Sequence, residues 1–559
     1  EYEVDAYLWI GEPGQRGFEA VADILTGEVN PSGHLTDTYA TQMESAPSTV
    51  NGSWHYQNWT NLEEVLSATS EFPDGFSWYT VQAEGIYVGY KYYETRYEDL
   101  VLGEGHADAV IGSSTGAAWD YAKEVRYPFG YGLSYTQFSQ SLDSVEMMDD
   151  LIQVTVTVTN EGSVPGKSVV QVYAQTPYGE YEKENKVEKS AILLLDFGKT
   201  KELAPGESET LTLTCDKYLL ASYDYVGAKG YYLSEGTYYL AIGEDVHAAL
   251  NNILSVKGAK VEGDSEKVYS WEEAFDAETY KVAKATGMEV TNQFEDCDLN
   301  TWIPEGVTYL SRSDWEGTYP TEAIAIEATP EMIEELTGNY YEKAEDAPSV
   351  KDISLGNRQD IPLAALCGLD YEDQLWDSYL DQFTLDELGM VVSDVIGTGE
   401  IPEVGKPAIS VGDGPDGVNM FFNAERYGDG REACCYPAEI VLASSFSKEL
   451  LANRGDLLAE EAMYLSAPMI WMPGANLHRT PFGGRNFEYY SEDANMTYLC
   501  TIPTVTAMEE KGLHAGPKHF AANDQENGRM GISTFFNEQA FREGSLRGFE
   551  GAVVEAGCT

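Results

Sequence analysis

Three short stretches late in the sequence carry side chains that can grip a hydroxylated ligand. Asp413 lies in GDGPDG, Arg485 in GGRNFEYYSED, and the pair Lys518–His519 in GPKHFAAND. A carboxylate accepts hydroxyl protons, while guanidinium and ammonium groups donate to oxygens in fixed directions. Any one of these alone reads as a structural ion pair. Three of them at successive strand ends read as one mouth. A fourth stretch, SRSDWEG at 311–317, sets Asp314 beside Trp315. A carboxylate beside an indole suits sugar cleavage, with the acid attacking and the ring forming a wall. Its place ahead of Thr384 marks Asp314 instead as a connector residue, with Trp315 packing on a neighbouring surface.

The elements that must position these residues follow from residue 381 onward. FTLDELGMVVSDVIG opens a helix with Thr384 as N-cap, Glu387 closing a capping box, and Phe383 and Leu388 placed as a hydrophobic staple. Apolar strands with polar loops come next, in AISVGDGPDG, APMIWMPGANLHR and GLHAGPKHFAAND, with helices such as SKELLANRGDLLAEEAMYLS between them. Strand, polar loop and helix in repetition predict a (β/α) barrel, whose active site stands at the carboxyl ends of its strands.

The fold class expected for the whole chain is multidomain, α/β plus all-β. Residues 1–135 read as α/β: DAYLWI as a buried strand, GEPGQRG as a glycine-rich turn, and FEAVADILTGE as a helix with Phe18, Val21, Ala22 and Leu25 on one face. The turn matches neither nucleotide fingerprint and reads as a place where backbone approaches a neighbour. Residues 136–257 hold IQVTVTVTNEG, KSVVQVYAQTP, ETLTLTCD and GTYYLAIGED, alternating strands at β-sandwich spacing. Residues 258–380 are acidic and weakly periodic, a connector that wraps other units, with EKAEDAPSV as a loop. The barrel unit is 381–559.

Length and composition bound the rest. At 559 residues the chain is too long for one core. A net charge of -60 argues against nucleic acid, anionic membranes and anionic polysaccharides as partners, and fits a neutral substrate. The 7 cysteines are scattered, form no disulfide framework and have no zinc-ligand spacing, so no metal or cofactor is expected. No segment reads as a transmembrane helix, and the start is no signal peptide, which leaves the compartment open.

These words together resemble glycoside hydrolase family 3, the β-glucosidase and β-xylosidase family. DGPDG, NLHRTPFGGRNFEYYSED and KHFAANDQE resemble its barrel motifs in order. PGQRGFEAVADILTGEVNPSGHL and YPFGYGLSYTQF resemble its α/β sandwich domain, and the β-rich unit its fibronectin type III-like module. The order, sandwich first and barrel last, resembles the family's domain-inverted members, with both the sandwich and the barrel incomplete.

The resemblance makes Asp413, Arg485, Lys518 and His519 the residues that hold the sugar in the cleaved subsite, and it implies a cis peptide between Lys518 and His519. It implies a retaining mechanism, with an aspartate nucleophile beyond Thr559 and an acid/base glutamate ahead of Glu1. On that expectation the 559 residues alone would not turn over an aryl β-glucoside. His478 and Arg479 read as supports of the Arg485 loop, Glu488, Glu492 and Asp493 as its braces, and Glu12 as a loop carboxylate with only its position to recommend it. The function implied is an exo-acting β-glucosidase on a neutral β-linked oligosaccharide or aryl glucoside, with a homodimer an open option. A β-xylosidase and a non-catalytic carbohydrate-binding or scaffold protein are the alternatives. A phosphate-sugar or nucleotide enzyme is disfavoured by the acidity and the missing fingerprints.

Overall fold

The computed structural model describes residues 6–52, 57–70, 76–338, 343–349, 351, 354–393, 396–419 and 431–558. Near its start, Ala6–Ile10 carries no strand pairing, and Tyr7 is 74% exposed. The buried strand expected from DAYLWI is therefore absent over these residues: its apolar run finds no partner strand among the described residues. The helix does form, as α1 (Gly17–Thr26), but Phe18 and Leu25 on its apolar face stay exposed. Between them the glycine-rich turn does what the sequence predicts. Gly14 has φ 71°, and a Cβ there would sit 2.7 Å from the backbone of Pro437, so only glycine lets the turn close on that segment. Gln15 N–H donates to Cys435 O at 2.9 Å across the approach.

Strand β1 (Trp78–Val81) and helix α2 (Tyr90–Leu102) follow, and then the β-sandwich. Its first sheet joins β2 (Phe138–Met147), β3 (Leu151–Asn160) and β6 (Ser208–Asp216). Its second joins β4 (Val169–Gln175), β5 (Leu193–Lys199), β7 (Gly236–Gly243) and β8 (Val268–Glu273) in the order β8-β7-β4-β5, all antiparallel. The alternation in β3 sends Ile152, Val154, Val156 and Val158 fully into the core, each contributing about 1.5–3 kcal/mol. Strand β8 lies past residue 257. Helix α3 (Val246–Val256), capped by Asp245 accepting from Ala248 N–H, packs on β7.

The connector supplies a layer of its own. Leu299, Val307, Ile326, Ala328 and Met332 share a core with Trp59, Val65, Tyr79 and Val81. The described part of EKAEDAPSV, 343–349, has no regular structure beyond a turn.

The strand–helix region begins with α4 (Leu385–Ser393). Its predicted cap is in place: Thr384 N–H donates to Glu387 Oε2 at 2.8 Å, and Glu387 N–H to Thr384 Oγ1 at 3.3 Å. Phe383 is buried in the same small cluster that Leu388 packs against. Next come β9 (Gly397–Thr398), β10 (Ile409–Asp413), helix α5 (Lys448–Leu465), β11 (Met469–Trp471), helix α6 (Ala494–Glu510), β12 (His514–Ala515) and β13 (Ile532–Phe535). Strands β10, β11 and β12 are parallel neighbours with β9 antiparallel at the edge, so the described residues form an arc of the expected barrel and no closed one. Helices α5 and α6 pack tightly because a Cβ at Gly455 would lie 2.4 Å from Thr504 O. Strand β13 pairs in parallel with β1, Ile532 opposite Trp78. Among the described residues no helix is long and apolar enough to cross a membrane, and no cluster of three metal-ligating side chains is found.

Candidate functional site

The register of the parallel arc places the site. Asp413 is the last residue of β10 and lies beside Trp471 at the end of β11. Past β11, Gly474 bridges Lys518, which brings the stretch after β12 alongside. The loop after β11 curls back to carry Arg485. Asp413, Arg485, Lys518 and His519 thus line one cleft of about 760 Å³, together with Trp471, Glu526 and Arg529.

Charges of alternating sign run round it. Lys518 Nζ donates to Asp413 Oδ1 at 2.8 Å and stands 3.3 Å from Glu488 Oε2. Arg485 Nε donates to Glu488 Oε1, and its Nη1 is 3.8 Å from Glu526 Oε1. Arg529 Nη1 is 3.3 Å from Glu526 Oε2. Among the described residues, each of these cations therefore faces at least one carboxylate. The Lys518–His519 peptide is cis, as the resemblance implies. The His519 main chain is bracketed by buried Asn476, which accepts from its N–H at 2.5 Å and donates to its carbonyl at 3.1 Å. Burial, and then the charges of Arg485, Lys518 and Arg529, push His519 down to about 3, so its imidazole is neutral.

The residues read as supports hold partners away from the cleft. His478 Nδ1 pairs with Asp37 Oδ1 at 2.6 Å. Arg479 grips Glu84 through two bonds, Nε to Oε1 at 2.5 Å and Nη2 to Oε2 at 3.0 Å, with both side chains buried. Glu492 Oε1 accepts from Thr38 Oγ1 and from Tyr90 N–H, both at 2.8 Å. Asp493 caps α6 by accepting from Met496 N–H. Glu488, the brace nearest the ligand space, ties Arg485 to Lys518. Glu12 is exposed and does not line the cleft; its carbonyl accepts from Ala438 N–H.

Asp314 is likewise outside the cleft. It caps the helical turn Trp315–Thr318 by accepting from Gly317 N–H at 3.1 Å, and it pairs with His106 at 3.0 Å. Trp315 is fully buried and donates to Asp99 Oδ2 at 2.9 Å. The look-alike is a helix cap.

Sequence reasoning passed over Trp471, Glu526 and Arg529. A signal for the last two existed: the polar run NDQENGR continues the Lys518–His519 loop. Trp471 was hidden because it reads as one more apolar strand residue.

Residues 1–135 match the model of the glycosyl hydrolase family 3 C-terminal domain, 168–246 that of the fibronectin type III-like domain, and 422–559 that of the glycosyl hydrolase family 3 N-terminal domain. The chain belongs to glycosyl hydrolase family 3, with its C-terminal domain preceding its N-terminal one. It is 30% identical to β-glucosidase A of Butyrivibrio fibrisolvens over 99% of this chain and 60% of that one. It is 30% identical to a β-glucosidase of Ruminococcus albus over 99% of this chain and 49% of that one. The crystal structure of a β-glucosidase from Paenibacillus barengoltzii matches 97% of this chain and 51% of its own, with a TM-score of 0.65 at 29% identity. The chain thus spans about half the length of these relatives.

Proposed function

We propose that the protein is a retaining, exo-acting β-glycosidase, with terminal non-reducing β-D-glucosyl residues as its substrate. The observation that carries this reading is the meeting of Asp413, Arg485, Lys518 and His519 in one cleft. The names of the relatives at 30% identity support glucoside over xyloside.

In this reading Asp413 accepts protons from sugar hydroxyls, while Arg485, Lys518 and Arg529 donate to hydroxyl oxygens. The acid partners Glu488 and Glu526 keep the cations from repelling one another and fix their directions before the sugar arrives, which lowers the ordering cost of binding. Trp471 offers an apolar face to the sugar ring. Retention requires two carboxyls ~5–5.5 Å apart, one attacking the anomeric carbon and one serving as acid then base. The proposal assigns no described residue to that pair; it assigns Asp413, Arg485, Lys518 and His519, with Arg529, to holding the sugar. The same reading divides the chain into 1–135, 136–257, 258–380 and 381–559.

The test is calorimetric titration with D-glucose and D-xylose. Glucose should bind, and Lys518→Met and Arg485→Met should each weaken it at least tenfold, ~1.4 kcal/mol. Unchanged binding in both variants, or tighter binding of xylose than of glucose, would sink the reading.

A further inference from the structure

His519 is neutral, so one ring nitrogen carries a proton and the other a lone pair, and its neighbours decide which. Nδ1 lies 3.2 Å from the hydroxyl oxygen of Tyr489, and that hydroxyl lies 3.3 Å from the carbonyl oxygen of Asn523. A carbonyl can only accept, and a phenol has one proton to give. If Tyr489 gave its proton to Nδ1, its oxygen would face the Asn523 carbonyl with no proton between them. If it gives the proton to Asn523, both contacts become hydrogen bonds, and Nδ1 must then be the protonated nitrogen. The phenol keeps its proton at every working pH, because burial pushes Tyr489 well above its ordinary range. Asn476 holds the His519 main chain at both its N–H and its carbonyl, which fixes where the ring is attached beside Tyr489.

We propose that Tyr489 is a positioning residue that holds His519 as its Nδ1–H tautomer, through a relay ending on the Asn523 carbonyl, so that Nε2 meets the ligand as a hydrogen-bond acceptor. The identity of that ligand rests on the sugar-binding reading above; the tautomer does not. The assignment complements the rest of the cleft. Arg485, Lys518 and Arg529 can only donate, so a hydroxyl that gives its proton to Nε2 keeps its oxygen lone pairs for them. The cleft therefore demands a group with a proton to give at that position, which a hydroxyl supplies and an ether or a fluorine does not.

The tautomer is read directly from two-bond proton–nitrogen spectra of protein labelled with ¹⁵N-histidine, His519 being assigned by its loss in His519→Gln. The parent should show a proton on Nδ1 and a bare Nε2. Tyr489→Phe removes the relay alone; it should lose the single-tautomer pattern and bind D-glucose about tenfold more weakly. Among monodeoxyfluoro-D-glucoses, one position should bind the parent as poorly as the matching deoxy sugar, because fluorine accepts but does not donate. A parent spectrum with the proton on Nε2 overturns the proposal, and so does a Tyr489→Phe spectrum identical to the parent's. The Nδ1–H form in a protein that binds no sugar would uphold the relay and overturn the sugar-binding reading instead.

Discussion

Asp314 and Lys518 show at the residue scale how partners, more than residue type, assign a role. Asp314 is 46% exposed, with an exposed His106 as its ion-pair partner. Asparagine caps helices about as well as aspartate, so Asp314→Asn should lose only the exposed pair, under ~1 kcal/mol. Urea unfolding should show that small change, and glucose titration should show none. A collapse in glucose binding would return Asp314 to the site. Lys518 stands at the other extreme, 9% exposed between Asp413 and Glu488. Removing its ammonium in Lys518→Met leaves Asp413 without its cation and Glu488 with Arg485 alone. Folding stability should fall by about 3 kcal/mol along with the binding. Equal urea midpoints for parent and variant would mean that the carboxylates find water or another cation at no cost.

At the scale of elements, two joints can be tested without touching the cleft. Thr384→Ala removes the cap of α4 and should cost about 1 kcal/mol in urea unfolding while glucose binding stays at the parent value. The second joint is Glu492, which binds the loop after β11 to Thr38 and to the start of α2. Burial first, and Asp37 beside it next, push its carboxyl up from the ordinary 4.5. The folded state therefore holds this proton more tightly than the unfolded state does. The stability it contributes is full below the ordinary value and is lost as pH rises through neutrality. Glu492→Gln keeps an acceptor oxygen and cannot ionise, so its urea midpoint should gain on the parent's as pH rises from 5 towards 8. A constant difference across that range would show that Glu492 is ionised throughout.

Elements of this kind were legible where local pattern sufficed: the Thr384 box, the alternation of β3, the loop residues after β10 and β12. The pairing of Asp37 with His478 or of Glu84 with Arg479 was not legible, because nothing in either stretch names a partner hundreds of residues away. DAYLWI misled for the converse reason. Its pattern states what the segment would do beside another strand, and over the described residues no strand is there.

At the scale of the whole molecule the net charge of -60 acts on every element at once. Like charges spread over one compact body repel, and the unfolded chain relieves that repulsion by expanding. Raising ionic strength from low salt to ~0.15 M shortens the screening length to ~8 Å and should raise the melting temperature. A flat or falling melting temperature would mean that ion pairs such as Arg479–Glu84 outweigh the net repulsion. The parallel pairing of β1 with β13 has a consequence in time. Trp78–Val81 waits for Ile532–Phe535, and Thr38 waits for Glu492, 454 residues on. A ribosome making this chain delivers β1 long before its neighbour exists. The newborn segment must wait with an open strand edge until Ile532–Phe535 is made, in reach of chaperones and of other nascent copies. Such distant pairing slows folding and exposes aggregation-prone edges. Protease pulses during translation should find the region around Trp78 cleavable until Ile532–Phe535 emerges.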